Sequence, residues 1–325
     1  MVTLAQPAAV AHPHRGTIAL ADATILAVEH FAGAQHYLRL DCPSIAARAL
    51  PGSFVHLQCA AELPMRRPMS VMRASARDGW LDVLYKAHGH GSALLATRVV
   101  GETLSVMGPI GQSFKLADYR RRPLLIGGGV GIPPMLCLAE HIRASAPTVA
   151  PLVLMGSEVP FPFSARPSTI MLPGVPPDVI AAMPLLEDWR IASRLASLAG
   201  LPGCYAGYVT DLARHWLTSS GVALADIEIF SCGPTPMLRA VKKLAAEFEL
   251  PCQISLEEYM ACAVGGCAGC TVEVETASGP AMKRVCVDGP VFEASTVVFN
   301  PLPMPAQSAP AQSRRRSDRA ASKLE

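Results

Sequence analysis

The chain contains the stretch Cys262-Ala-Val-Gly-Gly-Cys267-Ala-Gly-Cys270, and a fourth cysteine, Cys286, follows after fifteen intervening residues. This C-x4-C-x2-C…C spacing is typical of the four thiolate ligands of a [2Fe–2S] cluster. The glycines allow the backbone to fold tightly and to direct N–H groups at sulfur, because glycine accepts positive φ at no steric cost. The stretch therefore predicts an iron–sulfur domain with these four cysteines as metal ligands and one-electron transfer as its chemistry.

A structural zinc site is the alternative for the same four cysteines. Zinc sites with four cysteine ligands usually show two C-x2-C knuckles. This chain has one such knuckle, and the loop before it is rich in glycine. The spacing favours the cluster, and the alternative is a binding or scaffold protein with a zinc knot and vacant cofactor folds.

The composition indicates a chain with enough apolar residues for large hydrophobic cores and with a net charge close to zero. Half of the 325 residues are apolar, 17% are charged and the net charge is +2, so nucleic acid is not an expected partner. The longest apolar run, Leu124–Ala139, holds four glycines and two prolines and does not predict a membrane span. The six cysteines outside the cluster spacing are scattered through apolar stretches, which predicts a reducing, cytoplasmic location.

The pattern of elements changes along the chain and predicts a multidomain protein. Short β-like runs up to about residue 118 indicate an antiparallel β-barrel. After them, apolar strands alternate with helices, which indicates an α/β parallel sheet; Ile170–Leu172 is one of the strands expected there. The expected segments are a disordered tail (1–15), the barrel (16–118), the α/β domain (119–251), a small cluster domain (252–300) and a second disordered tail (301–325).

A glycine-rich loop follows the first strand of the predicted α/β domain. The sequence runs Leu124-Leu-Ile-Gly127-Gly128-Gly129-Val-Gly131-Ile-Pro133-Pro134-Met135. Proline is tolerated in the first turn of a helix, and the free N–H groups of that turn suit a pyrophosphate. The loop predicts a dinucleotide site, and the alternative is a tight structural turn.

A second loop of the same kind reads Cys232-Gly233-Pro234-Thr-Pro236-Met237. Here too a strand ends and a helix begins, at the sheet edge where α/β folds bind ligands. A lone cysteine is more often part of a core. Beside the glycine loop, however, Cys232 is predicted to face a nicotinamide ring as a catalytic residue.

The predicted barrel has its own candidate site in Arg66-Arg67-Pro68-Met69-Ser70-Val71. An arginine beside a strand can hold a phosphate through two parallel hydrogen bonds. The alternative is an exposed basic pair. Two further motifs favour a phosphate-binding site. They are Leu84-Tyr85-Lys86 and Gly89-His90-Gly91-Ser92, the second of which begins a short helix.

The order of these motifs resembles the ferredoxin–NADP reductase superfamily. More narrowly, residues 17–292 look like the electron-transfer subunit of heterodimeric dihydroorotate dehydrogenase; the most specific segments are Cys252–Cys262 and Cys286–Phe292. This resemblance implies three cofactors, FAD, NAD and [2Fe–2S]. The FAD residues it implies are Arg67, Pro68, Met69, Ser70, Leu84, Tyr85, Lys86, Gly91 and Ser92, and the NAD residues are Gly128, Gly129, Gly131, Cys232, Gly233 and Pro234.

The resemblance also implies a partner and a reaction. The chain would carry electrons from the FMN of a dihydroorotate dehydrogenase catalytic subunit through [2Fe–2S] and FAD to NAD+, in pyrimidine biosynthesis, and a heterotetramer is expected. The alternative is a subunit of another NAD(P)H:ferredoxin or sulfide oxidoreductase built on the same module. Neither nucleic acid nor a membrane is an expected partner.

Overall fold

The structure, a computed structural model, describes residues 16–299. Both tails expected from the sequence, 1–15 and 301–325, lie outside the described residues. No helix within 16–299 has the length and apolar character needed to cross a membrane.

The first unit is a closed antiparallel barrel of six strands in the order β1-β2-β5-β4-β3-β6. Buried and more exposed residues alternate along its strands. In Thr103–Ile110 every second residue is buried, as expected when one face of a strand lines a core. The elements are β1 (Ala19–Phe31), β2 (Gln35–Asp41), α1 (Pro43–Ala46), β3 (Phe54–Leu57), β4 (Arg67–Ser75), β5 (Trp80–Lys86), α2 (His90–Leu95) and β6 (Thr103–Ile110).

The second unit is a six-stranded sheet in the order β11-β8-β7-β12-β13-β16, parallel except for the last strand, β16 (Val291–Glu293). Its central strands are buried apart from Arg122 at the start of β7, which is typical of a parallel sheet covered on both faces. The elements are β7 (Arg122–Gly128), α3 (Ile132–Ser145), β8 (Leu152–Gly156), β9 (Arg166–Pro167), β10 (Ala181–Ala182), α4 (Pro184–Asp188), β11 (Ala192–Ala196), α5 (Val209–Ser219), β12 (Ile227–Cys232), α6 (Thr235–Glu247) and β13 (Cys252–Ser255).

The cluster cysteines flank a small three-stranded sheet in the order β15-β14-β17: three precede β14 (Thr271–Thr276) and Cys286 follows β15 (Gly279–Arg284). Val274 and Val285 of this unit belong to the same apolar core as Ile254 of the α/β sheet. The unit therefore gains stability from its neighbour, as expected for so small a domain. The remaining strands are β14 (Thr271–Thr276), β15 (Gly279–Arg284), β16 (Val291–Glu293) and β17 (Val297–Val298).

Two sequence expectations differ from the structure. The boundary expected at 251/252 divides the α/β sheet, because β13 pairs with β12 and β16 pairs with β13. Residues 170–172 do not form a strand. Met171 is 91% exposed, and the Ile170 carbonyl accepts a hydrogen bond from the buried Arg194 side chain (2.8 Å) instead of pairing in a sheet.

The barrel and the α/β unit are joined by a charged contact between β4 and α3. Arg73 Nη2 donates to Glu140 Oε1 (2.6 Å), and the guanidinium also lies over the ring of Trp189 at 5.2 Å. Because both charged groups are half-buried, this contact fixes the relative placement of the two units more firmly than an exposed pair would.

Candidate functional site

Two loops meet at the carboxyl edge of the parallel sheet. Strands β7 and β12 are neighbours, and Gly127 and Cys232 are paired in register, so the loop after each strand begins at the same level. A side chain at Gly131 would overlap the Cys232 carbonyl, and one at Gly128 would overlap the Met237 sulfur. The glycines are therefore required for the two loops to touch.

The other side of the glycine loop is open. Gly129 has φ +54°, and nothing lies within 4 Å of the position where its β-carbon would be. Helix α3 begins at Ile132, whose N–H bonds the Gly129 carbonyl, and the two prolines that follow have no N–H. An anion at this edge would therefore meet the backbone of the glycine loop and not the first turn of α3. The open side of the loop forms a cradle, and a dinucleotide pyrophosphate bound at Gly128, Gly129 and Gly131 stays a prediction. In the second loop, Gly233 packs against Met237, while Pro234 is exposed at the start of α6.

Cys232 makes a contact that the sequence did not predict. The residue is wholly buried, and its Sγ donates a weak hydrogen bond to Glu257 Oε1 at 3.8 Å. Burial raises the pKa of the Cys232 thiol, so the thiol is protonated at neutral pH. More than a third of Glu257 is reachable by solvent, yet protein surrounds the carboxyl, and the resulting loss of hydration raises its pKa to about 7. The pair places two exchangeable protons beside the cradle.

The two arginines of the barrel motif have different contacts. Arg66 is used within the barrel: it donates to the Ser105 carbonyl (2.7 Å) and to the Ser105 hydroxyl (2.9 Å). Arg67 bonds only the carbonyls of its neighbours Met65 and Arg66 in the contacts described, and its guanidinium lies against the start of α2. A β-carbon at Gly91 would come within 2.9 Å of Arg67 Nε. The half-buried Arg67 is therefore the guanidinium with donors to spare for a phosphate.

Tyr85, like Arg67, has a polar group that is available to a bound ligand. The residue is 3% exposed, and its hydroxyl has no hydrogen-bond partner within residues 16–299. Its ring stacks on His36 with the centroids 5.4 Å apart. A buried hydroxyl without a partner is costly, so a polar ligand atom at this place would satisfy it. The donor set of Arg67 and Tyr85 fits the FAD that the resemblance implies.

The remaining predicted FAD residues surround these two. Ser70 and Pro68 are half-buried on β4, Leu84 is buried and Lys86 is exposed. The Met69 side chain packs inside the barrel core, and the Ser92 hydroxyl is used locally, bonding the backbone of His88. Their contribution to a ligand would come from the backbone.

The four cluster cysteines are arranged in two pairs. In the outer pair, the Cys267 N–H donates to Cys262 Sγ and the Gly269 N–H donates to Cys267 Sγ, both at 3.4 Å. Burial would raise the pKa of the Cys262 thiol, but backbone N–H groups and the Cys267 thiol outweigh burial and lower that pKa to about 7. These groups stabilise the thiolate, which is the form that binds metal.

The inner pair is buried. Cys270 and Cys286 are 3% and 2% exposed, and burial together with the neighbouring Cys270 thiol raises the pKa of Cys286 to about 12. No three His, Cys, Asp or Glu side chains within 16–299 are arranged to hold a single metal ion. A [2Fe–2S] cluster takes four cysteine thiolates over two irons, and the two pairs together provide four thiols.

Comparisons with known proteins agree with this geometry. Residues 257–298 match the family described as the iron-sulfur cluster binding domain of dihydroorotate dehydrogenase B. The chain is 30% identical to the dihydroorotate dehydrogenase B (NAD(+)) electron transfer subunit of Shouchella clausii, over 85% of this chain and 97% of that protein. It is 34% identical to the subunit of the same name from Bacillus caldolyticus, over 77% of this chain and 87% of that protein.

Solved structures share the fold. An NADH-dependent reduced ferredoxin-NADP oxidoreductase has a TM-score of 0.68 at 22% identity, covering 85% of this chain and 89% of its own. The ferredoxin reductase of carbazole 1,9a-dioxygenase has a TM-score of 0.56 at 24% identity, covering 72% and 67%. These likenesses show the arrangement of barrel and α/β unit.

Proposed function

Since the chain belongs to the family of electron transfer subunits of dihydroorotate dehydrogenase B, we propose that it passes electrons between the FMN of a dihydroorotate dehydrogenase catalytic subunit and NAD+. The route runs through [2Fe–2S] and FAD, and the pathway served is pyrimidine biosynthesis. The chain is an oxidoreductase subunit that requires its partner for the oxidation of dihydroorotate.

One observation carries this proposal: a single short segment connects the dinucleotide cradle to the cluster cysteines. We call residues 256–262 the junction loop. It begins where β13 ends, brings Glu257 to Cys232, buries Met260 and ends at the first cluster cysteine, Cys262. The dinucleotide cradle and the iron–sulfur loop are therefore separated by only a few residues of chain.

Flavin, when bound, supplies the conversion between hydride transfer with nicotinamide and single-electron transfer with a cluster. The residues of this chain bind and orient. Arg67 would hold the FAD pyrophosphate, and the Tyr85 hydroxyl would bond a polar atom of the cofactor. Cys232, buried and protonated, would form an apolar, water-free wall for the nicotinamide, and Glu257 would hold a proton at its rim.

The proposed docking face for the catalytic partner lies over the outer cysteine pair. Tyr259 is 90% exposed, Val264 is 51% exposed and Cys267 is exposed beside them. Exposed apolar side chains next to a redox centre are typical of an interaction surface. A partner bound there would bring its own cofactor close to the cluster.

We also infer a cytoplasmic location. All ten cysteines are free, including the six outside the cluster set. A reducing compartment keeps thiols in this state.

A coupled assay tests the proposed function. The full chain is mixed with the FMN-bearing catalytic subunit of the same organism, and NADH formation from dihydroorotate is followed. Activity only when both proteins are present is the expected result. Oxidation of dihydroorotate by the chain alone would contradict the proposal, and coupling only to ferredoxin or sulfide would favour the alternative oxidoreductase.

Gly91→Ala is expected to weaken FAD binding about tenfold, which corresponds to about 1.4 kcal/mol. The new methyl group would displace the Arg67 guanidinium from the start of α2. Alanine favours a helix over glycine, so the unfolding midpoint in urea should not fall. The measurement is a fluorescence titration of deflavinated protein with FAD, and an unchanged dissociation constant would show that Arg67 does not hold FAD from this position.

Glu257→Gln is expected to change how stability depends on pH. The pKa of Glu257 is raised in the folded state from 4.5 to about 7, so its ionisation opposes folding. The native chain should therefore lose stability as pH rises from about 4.5 through 7, and the Gln variant should lose less. The gain at pH 8 should stay below about 1 kcal/mol, because the carboxyl is partly hydrated.

Urea midpoints between pH 5 and pH 8 measure this effect. Glu62→Gln, at an exposed turn, is the matched change from carboxyl to amide. Parallel pH curves for the native chain and Glu257→Gln would contradict the assignment of a proton to Glu257.

A further inference from the structure

Arg284 is the last residue of β15, two positions before the cluster cysteine Cys286, and has no role in the sites described above. Its side chain reaches a different part of the chain, because Nη1 donates to the Gly265 carbonyl at 3.0 Å. Gly265 lies between the outer cysteines, within residues 262–270, which we call the cysteine loop. One guanidinium therefore connects the two segments that carry the cluster ligands.

Asp288 fixes the base of this side chain. Its Oδ2 accepts a hydrogen bond from the Arg284 N–H at 2.8 Å, and the Asp288 N–H donates to the Arg284 carbonyl at 2.8 Å. These reciprocal bonds close a turn that has Cys286 at its centre. The same carboxylate lies 3.5 Å from Arg284 Nε, so the Nη1 end of the guanidinium is the end that faces the cysteine loop.

The cysteine loop lies close against this turn. Gly265 has φ +80°, and a β-carbon at this residue would come within 2.6 Å of Val287 Cγ2 and 3.3 Å of Arg284 Nη1. Glycine adopts this backbone conformation without strain and leaves room for the guanidinium. Arg284 itself is half-buried, so its contact with the loop is part of the folded structure of this domain.

The guanidinium places a fixed positive charge beside the cluster ligands. Arginine keeps its charge in proteins, whereas cysteines bind iron as negative thiolates. Reduction of the cluster adds one electron, and a neighbouring cation stabilises the reduced form more than the oxidised form. The reduction potential of an iron–sulfur cluster depends on such charges and on the hydrogen bonds around it.

We propose that Arg284 is a positioning residue that holds the cysteine loop through Gly265 and raises the reduction potential of the cluster by its charge. A raised potential lets the cluster accept an electron from a flavin more readily and release it less readily. This inference deepens the proposed function and rests on it: the ease of electron flow through the cluster is set by a side chain that is not a metal ligand.

Two simpler roles make different predictions. If Arg284 only braced the loop, glutamine, which keeps N–H donors without the charge, would leave the potential at its native value. If the general charge of this surface mattered, loss of Lys283 would lower the potential as much as loss of Arg284. Lys283 is the preceding residue of β15 and is also half-buried, which makes it the matched control.

The experiment is EPR of the anaerobic full-length protein poised at a series of fixed potentials, which gives the ratio of reduced to oxidised cluster. At the native midpoint, Arg284→Gln and Arg284→Met should each lower this ratio about fivefold, the size expected for one charge near a partly hydrated site. For one electron this corresponds to about 40 mV. Arg284→Lys, which keeps the charge, and Lys283→Met should both stay within about twofold of native.

Two results would overturn this proposal. The first is a ratio within about twofold of native in Arg284→Gln, which decides the question by itself if Arg284→Met does not keep its iron. The second is an equal fall in Lys283→Met or in Arg284→Lys, since the charge of Arg284 would then have no special effect. A native protein without a reduced-cluster signal at any potential would overturn the proposed function as well, whereas a native signal with unchanged potentials in the Arg284 variants would overturn the role of Arg284 alone.

Discussion

Cys270→Ser is expected to remove the iron–sulfur chromophore and to stop electron delivery to the catalytic partner. Cys270 is 3% exposed and adjoins Cys286, so its thiol cannot be replaced by water or by a neighbouring ligand without opening the core. Loss of groups that only support metal ligands costs about 10–100-fold in affinity, and loss of a ligand should exceed this. Iron content and coupled NADH formation should both fall more than about a hundredfold.

FAD reduction by NADH should survive the same change. The dinucleotide cradle, with Cys232 and Gly131, lies on the α/β sheet and does not include Cys270. NADH should therefore still reduce small artificial acceptors through FAD. Cys204→Ser, at a half-buried cysteine outside the cluster set, is the control and should keep its iron. A Cys270→Ser protein with a full iron content would mean that the four cysteines do not act together.

Arg67→Met is expected to raise the dissociation constant for FAD about 10- to 100-fold. Hydrogen bonds to a charged group contribute about 1.5–3 kcal/mol, and methionine keeps the length of the side chain without its donors. The titration with FAD should be made at a fixed salt concentration, because the phosphate contact is screened by ions.

The variant Arg66→Met tests whether FAD affinity and the stability of the fold depend on different arginines. Arg66 bonds Ser105 and the His56 carbonyl inside the barrel, so its loss should lower the unfolding midpoint. The FAD affinity of the folded protein should change by less than about threefold. Equal losses of FAD affinity in both variants would show that the basic pair acts as a diffuse charge, with no single guanidinium on the pyrophosphate.

Much of the architecture could be predicted because its signals are local. The cysteine spacing and the glycine loop each occupy a short stretch, and each has few physical explanations. The barrel and the parallel sheet followed from runs of alternating or continuous apolar residues. The comparisons confirm the fold class, the family and the cofactor set drawn from the order of the motifs.

Strands that contain buried polar residues could not be predicted from apolar runs. Strand β11 contains Ser193 and Arg194, both almost fully buried, so its sequence lacks the apolar run of an inner strand. Residues 170–172 have such a run, yet they serve as a hydrogen-bond partner for Arg194. Whether residues 170–172 form a strand depends on contacts with residues about twenty positions away in the sequence. A local pattern does not contain that information.

The residues of the junction loop were missed for a related reason. Glu257 lies in the segment Cys252–Cys262, which the sequence singled out only by resemblance and without a role for this side chain. Its importance depends on the Cys232 thiol that lies opposite. A buried thiol whose partner is unknown gives no sequence signal for such a contact.

The most direct test of electron transfer through this chain is low-temperature EPR of the anaerobic full-length protein after addition of NADH. The account predicts loss of the flavin absorbance together with a rhombic signal from a reduced [2Fe–2S] cluster. Flavin bleaching without that signal, in protein shown to contain iron, would mean that electrons from NADH do not reach the cysteine cluster and would contradict the account.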